Sequence, residues 1–304
     1  MVDRIVSLLP SSTEIVCALG LRERLVSVSH ECDYPADVAG LPTLTEPKLD
    51  PHGTSGDIDL RVREIVQEGL SIYRLRTGTL QELQPDVIVT QDQCEVCAVS
   101  LSEVENAVRS FLTLDVSVVS LRPGNLSDIW ADIRNVAEAA GRQKNAEKLI
   151  RNLQGRLQKV KEKTRYMRRP RVVCLEWLNP LMVAGNWIPE LVDIAGGEYG
   201  LVDAGGHTPA ITWDVLAAYR PEVLIITPCG FPIPQSQTDL PQLMAHPLWQ
   251  TLPAVQENRV YVADGNAYYN RPGPRIAESA EILAEMLHPE ACAGMAVPGS
   301  YLRV

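Results

Sequence analysis

RIVSLLP, Arg4 to Pro10, and RVVCLEWLNP, Arg171 to Pro180, open two halves of the chain that follow one plan. Each is a short apolar run behind an arginine, the pattern of a strand buried on both faces of a parallel sheet. Downstream, LQELQPDVIVTQ around Pro85 and LAAYRPEVLIITP around Pro221 repeat one helix–strand unit with a proline at the same junction. SVVSLRPGN, ending at Asn125, and RVYVADGN, ending at Asn266, close the two halves. Helix and strand patterns in alternation predict an α/β fold: two similar Rossmann-like lobes with mainly parallel sheets. Ligands of open α/β sheets bind beyond the carboxyl ends of the strands. The repeat therefore predicts a ligand cleft between the lobes, lined by strand-end residues.

Between the halves, residues 127–163 keep helical spacing: Ile129, Ile133, Val136, Ala140, Leu149, Leu153, Leu157 and Val160. This predicts one long backbone helix, with Gly141 as a tolerated weak point. The expected organisation is a first lobe over 1–124, a bridging helix over 125–167, a second lobe over 168–288 and a tail over 289–304, loose or docked on the surface. In the first lobe, Ile5–Leu9 and Leu25–Ser29 read as strands, and Ser11, Ser12 and Thr13 as caps of a helix from Glu14 to Leu19. Residues 45–59, rich in Pro, Gly and Asp, read as a loop. In the second lobe the pattern gives strands at 172–175, 223–227 and 260–263 and helices at 188–195, 213–219 and 275–287.

The 304 residues suffice for two domains. A net charge of −10 argues against a nucleic-acid partner. No apolar run reaches the ~20 residues of a membrane span. Seven irregularly spaced cysteines, and a first strand starting at Arg4, predict a cytoplasmic protein with reduced thiols. The alternative is a periplasmic protein whose signal peptide has been removed.

The strand ends carry the polar and aromatic residues. Cys94-x-x-Cys97 is half of a metal or redox site, or a buried free pair; His30 and Cys32 would complete a metal set with it. His207, after Gly205-Gly206, is either a flexible loop residue or an axial imidazole. Trp177, Trp187 and Trp213 are either core or flat pocket walls with one donor each. Glu176 needs a partner if buried, which Arg271 or Arg275 could supply. Cys94 or Cys97 with His30 could form a nucleophile pair. No oxyanion hole, GxSxG elbow, P-loop or dinucleotide fingerprint accompanies it, so no catalytic residue is assigned.

IVSLLPSSTEIVCALGL, HECDYP, PDVIVTQDQCEVCAVS, EWLNPLMVAGNWIPELVDIAGG and NRPGPR together resemble the cobalamin and iron–siderophore binding proteins of ABC transporters, and within them the cobalamin-binding branch. The likeness runs over residues 3–288. It implies two α/β lobes joined by a backbone helix, and non-catalytic binding of a corrinoid or other metal chelate as ligand. No cofactor is required, and an ABC-transporter permease is the implied partner. On this reading Trp177, Trp187 and Trp213 form apolar walls. His30, Glu31, Gln93, Asn186, Tyr268 and Asn270 surround the ligand rim, and His207 approaches the metal centre. Cys94, Cys229, Glu176 and Arg271 complete the expected set. The alternatives are a cytoplasmic metal or cluster protein using His30, Cys32, Cys94 and Cys97, and an enzyme with a cysteine nucleophile.

Overall fold

The structure, a computed structural model, describes residues 2–67, 72–92, 101–111 and 116–304. The chain divides into two compact units. The first comprises Met1–Pro51, Leu60–Pro123 and Ser127–Asn152; the second comprises His52–Asp59, Gly124–Leu126 and Leu153–Val304.

In the first unit the elements are β1 (Ile5–Ser7), α1 (Pro10–Ala18), β2 (Leu25–Val28), β3 (Thr45–Pro47), α2 (Ser55–Gln67, whose first turn falls in the second unit), β4 (Tyr73–Leu75), α3 (Thr77–Leu83), β5 (Val87–Gln91), α4 (Leu101–Phe111) and β6 (Ser117–Leu121). The main sheet has the order β2-β1-β5-β6, every neighbour parallel. Val6, Leu8, Leu44, Leu80, Ile88 and Val104 form the core on one of its sides.

The chain then runs through α5 (Leu126–Ala139) and α6 (Gln143–Thr164) into β7 (Val172–Leu178), β8 (Leu181–Val183), α7 (Ile188–Ile194), α8 (Trp213–Tyr219), β9 (Val223–Ile226), α9 (Ile233–Ser236), α10 (Leu240–Met244), α11 (Pro253–Gln256), β10 (Val260–Ala263), α12 (Ile276–Leu287) and β11 (Tyr301–Arg303). The second sheet has the order β11-β10-β9-β7-β8. Its three central strands are parallel and both edge strands antiparallel.

The repeat in the sequence is a repeat in topology. β1, β5 and β6 lie side by side in one sheet, and β7, β9 and β10 in the other. The proline junctions match atom for atom. Gln84 and Arg220, just before the prolines, both adopt left-handed backbone, at φ 42° and 54°. The amides of Asp86 and Glu222 then donate to the carbonyls of Arg4 (2.9 Å) and Arg171 (2.8 Å). The two carboxylates in turn accept from the amides of Arg4 (2.9 Å) and Arg171 (3.0 Å).

Three expectations are corrected. The helix over 125–165 is not continuous. α5 ends in a Schellman motif: Gly141 at φ 66°, its amide donating to Glu138 (3.2 Å) and that of Arg142 to Ala137 (2.7 Å). Ser11, Ser12 and Thr13 do not cap α1. Pro10, with its fixed φ, starts the helix. The hydroxyls turn inward, where Thr13 donates to Ser7 (2.7 Å) and Ser12 pairs with Ser7 (2.5 Å). Residues 45–59 are not a plain loop. β3 pairs with β4, and α2 starts on a capping box, Thr54 Oγ1 accepting from the Asp57 amide (3.3 Å) and donating to its carboxylate (2.7 Å). Of the two expected states of the tail, loose or docked, the structure shows the docked one: Cys292 is fully buried, and β11 pairs with β10.

Candidate functional site

In the second unit three strand ends converge at the carboxyl edge of the sheet. β7 ends with Glu176, Trp177 and Leu178. The Glu176 carbonyl accepts from the Cys229 amide, just beyond β9, at 3.0 Å. Trp177 stands edge-on to Phe231, ring centres 5.3 Å apart. The turn after β10 presses on the same place: a Cβ on Gly265 would lie 2.1 Å from the Pro228 carbonyl oxygen, so only glycine fits. The Asn270 amide group ties this turn down, donating to the carbonyls of Gly265 (2.9 Å) and Thr227 (3.3 Å). The Asn266 amide donates to the Phe231 carbonyl (3.1 Å), and its side chain accepts from Arg271 (2.9 Å). Glu176, Trp177, Cys229, Asn270 and Arg271 thus lie on neighbouring segments at this edge of the sheet.

Glu176 finds neither arginine. Its Oε2 accepts from the Thr208 hydroxyl at 3.0 Å. Burial pushes its carboxyl up to about 7, against the opposing effect of the Thr208 bond. Near neutral pH this group therefore exchanges between acceptor and donor. Arg271 is bound to Asn266 as above, and the Arg275 guanidinium lies 5.3 Å from the Tyr268 ring centre.

Other expected residues have different roles. Trp187 is 5% exposed, and its indole N–H donates to the Tyr269 carbonyl at 3.1 Å, so it is packing and not a wall. Tyr268 is 9% exposed, its carbonyl accepting from the Ser279 hydroxyl. Asn186 adopts left-handed backbone at φ 52° and exchanges backbone hydrogen bonds with Gly205 (2.9 Å) and Gly206 (2.7 Å). This docking sets the 203–208 loop, on which His207 is exposed and Thr208 reaches Glu176. Trp213 stacks flat on His246, centres 4.0 Å apart, with Trp249 at 6.5 Å. With Leu178, Asn179 and Asp239, Trp213 and His246 border a separate hollow of about 120 Å³.

In the first unit, His30 Nδ1 lies 2.8 Å from the Thr45 hydroxyl, and its ring 5.4 Å from that of Tyr73. Burial, and then the Arg76 charge, lower its basicity, which keeps the imidazole neutral at neutral pH. The Tyr73 hydroxyl donates to Glu31 Oε1 at 2.8 Å. Cys32 Sγ lies 3.1 Å from the Thr13 hydroxyl. Gln93, Cys94 and Cys97 lie outside the described residues. Among the described residues no three His, Cys, Asp or Glu side chains gather to hold a metal ion.

Residues 5–267 match the family described as periplasmic binding protein. The chain belongs to that family. It is 22% identical over 295 residues to the uncharacterized ABC transporter substrate-binding lipoprotein YvrC of Bacillus subtilis, covering 94% of this chain and 80% of the relative. It is 23% identical over 280 residues to a vitamin B12-binding protein of Vibrio parahaemolyticus, covering 90% and 85%. Its fold is shared with a periplasmic heme binding protein of Pseudomonas aeruginosa, at TM-score 0.71 and 19% identity, covering 95% and 94%. No described helix of this periplasmic binding protein is long and apolar enough to cross a membrane.

Sequence reasoning missed Thr45, Tyr73, Thr208, Phe231 and Asn266. Phe231 lies three residues beyond the end of LAAYRPEVLIITP, and Asn266 closes RVYVADGN, so position alone could have found them. Thr45 and Tyr73 sit on the β3–β4 pair, whose three-residue strands carry no readable periodicity.

Proposed function

We propose that this protein is the substrate-binding component of an ABC importer for a corrinoid, held at the carboxyl edge of the second unit's sheet without chemical change. The observation that carries it is the half-buried Trp177 indole, backed edge-on by Phe231, beside amide-bearing Asn266 and Asn270 and the near-neutral Glu176 carboxyl. A corrinoid presents a broad apolar ring face and a rim of neutral amides, which that surface complements. The vitamin B12-binding relative supports the ligand class. Heme is the second reading, favoured by the exposed His207 as an axial ligand for iron.

We place the protein outside the cytoplasm, where the lipoprotein relative's name points. The cysteines do not oppose this. Cys174 and Cys292 are fully buried, and desolvation raises both thiols; Cys17 is pushed up to about 11, again by burial first. Thiols that do not ionise resist oxidation, so they carry little information on compartment.

Titration of the purified chain with cyanocobalamin and with haemin, followed by visible absorbance and calorimetry, tests the assignment. The expected result is one cyanocobalamin per chain, with Trp177→Ala weakening it by about tenfold or more. Binding of haemin alone, lost in His207→Ala, would replace the corrinoid with heme. Binding of neither would overturn the chelate class.

A further inference from the structure

The positive charge of this chain is concentrated in one short segment. Between Arg156 and Arg171 stand eight Lys or Arg and one acid, Glu162, whereas the whole chain carries −10. Five of these cations are committed within the second unit. Lys161 and Arg169 pair with Asp193 (3.8 and 2.6 Å), and Arg168 and Arg171 with Glu222. Arg156 is held by Glu281 at 2.6 Å. Lys159, Lys163 and Arg165 are exposed and have no acidic partner among the described residues. Lys159 and Lys163 stand one turn apart on α6, exposed on one flank of the buried stripe of Leu157 and Val160.

Beside them Tyr166 is 87% exposed, more than any other large apolar or aromatic side chain among the described residues. The Arg165 guanidinium lies 5.0 Å from its ring centre. The helix dipole accounts for cations in the last turn of α6. It does not account for exposed Arg165, just past the helix end, nor for an aromatic ring left in water.

We propose that this end of α6 is a docking surface for an anionic phospholipid bilayer. Clustered cations gain from the negative surface potential of such a membrane. A tyrosine ring with a polar tip suits the headgroup level, where aromatic side chains are enriched. The acid-rich remainder of the chain is repelled by the same surface, so contact is confined to this segment. The surface is distinct from the ligand edge described above, and the inference does not depend on the ligand's identity.

The test uses the full chain with vesicles of phosphatidylglycerol and phosphatidylcholine, and with vesicles of phosphatidylcholine alone, read by co-sedimentation. The chain should bind the anionic vesicles only, and more weakly as salt rises. The triple variant Lys159→Glu, Lys163→Glu, Arg165→Glu should bind at least about tenfold less, and Tyr166→Ser about threefold less. Both variants should keep the parent's melting temperature and its visible-absorbance titration with cyanocobalamin and haemin. Equal binding to neutral vesicles, or undiminished binding by the triple variant, overturns the proposal. So does self-association in sedimentation velocity that the triple variant abolishes while vesicles remain unbound, which would assign the surface to a second copy of the chain.

Discussion

Asp132, on α5, is 5% exposed, and its Oδ2 has no partner among the described residues. Burial pushes its carboxyl up to about 7; the Arg122 amide opposes this, and nearby Asp128 adds to it. The folded chain therefore holds this proton more tightly than the unfolded chain does. The stability it contributes is full below pH ~4 and lost as pH rises through about 7. Asp132→Asn keeps an acceptor for the Arg122 amide and cannot ionise. The variant should match the parent near pH 4 and exceed it at pH 8, by at most about 4 kcal/mol for a gap of about three pH units. Urea melts at the two pH values measure this, and parallel pH profiles would refute it. None of this was legible, because the spacing of α5 reports which face is apolar and not which polar residue is trapped beside it. Trp187 shows the same limit. Its place after a strand suggested a pocket, but the Tyr269 carbonyl that satisfies its indole is 82 residues away. Glu176, Cys229 and Asn270 were legible because the end of a parallel strand fixes position without knowledge of partners.

At the scale of elements, periodicity located the parallel strands of both sheets to within a few residues, since a buried parallel strand is a compact apolar run, and missed the antiparallel edges β8 and β11. It failed where a single residue outweighs the pattern. Gly141 interrupts an apolar stripe that continues in α6 through Ala146, Ile150, Leu153, Leu157 and Val160. Its φ of 66° lets the last carbonyls of α5 be satisfied before α6 begins. A Cβ there would meet nothing within 4 Å, so Gly141→Ala costs backbone strain alone. A loss of about 1 kcal/mol in a denaturant melt is expected, with both helices retained by circular dichroism. A gain in stability and helix content would instead show the two helices fusing. Gly265 is the contrasting case, because its neighbour is the backbone of Pro228 and not open space.

At the scale of the whole molecule, three matched parallel strands per unit were readable from the repeat and β2 from its own apolar run, whereas the antiparallel edges were not. β2 extends the first sheet in parallel, whereas β8 and β11 close the second with antiparallel edges. The tail that supplies β11 lies beyond the family match, which ends at residue 267. Its composition of Pro, Gly and Ala left it either loose or docked on the surface, and its attachments are those of a docked segment. Tyr261, Val262 and Ala263 of β10 pair with Arg303, Leu302 and Tyr301. Glu285 on α12 accepts from the Ala296 amide (2.8 Å) and the Tyr301 hydroxyl (3.1 Å). The Asp264 amide, where the Asn266–Asn270 turn begins, donates to the Ser300 carbonyl at 3.0 Å. Deleting residues 289–304 would strip these bonds and expose β10, 0–4% accessible at Val260–Ala263, as an unpaired apolar edge. Stability should fall by several kcal/mol, on the order of a lost ladder plus the burial of Cys292 and Tyr301, and the shortened chain should aggregate at concentrations where the full chain does not. Glu285→Gln keeps a carbonyl acceptor and should cost about 1 kcal/mol or less. Thermal melts and light scattering of both variants decide the matter. A deletion no more harmful than Glu285→Gln would mean that the tail merely rests on the sheet, and that β10 needs no cover to hold its turn in place.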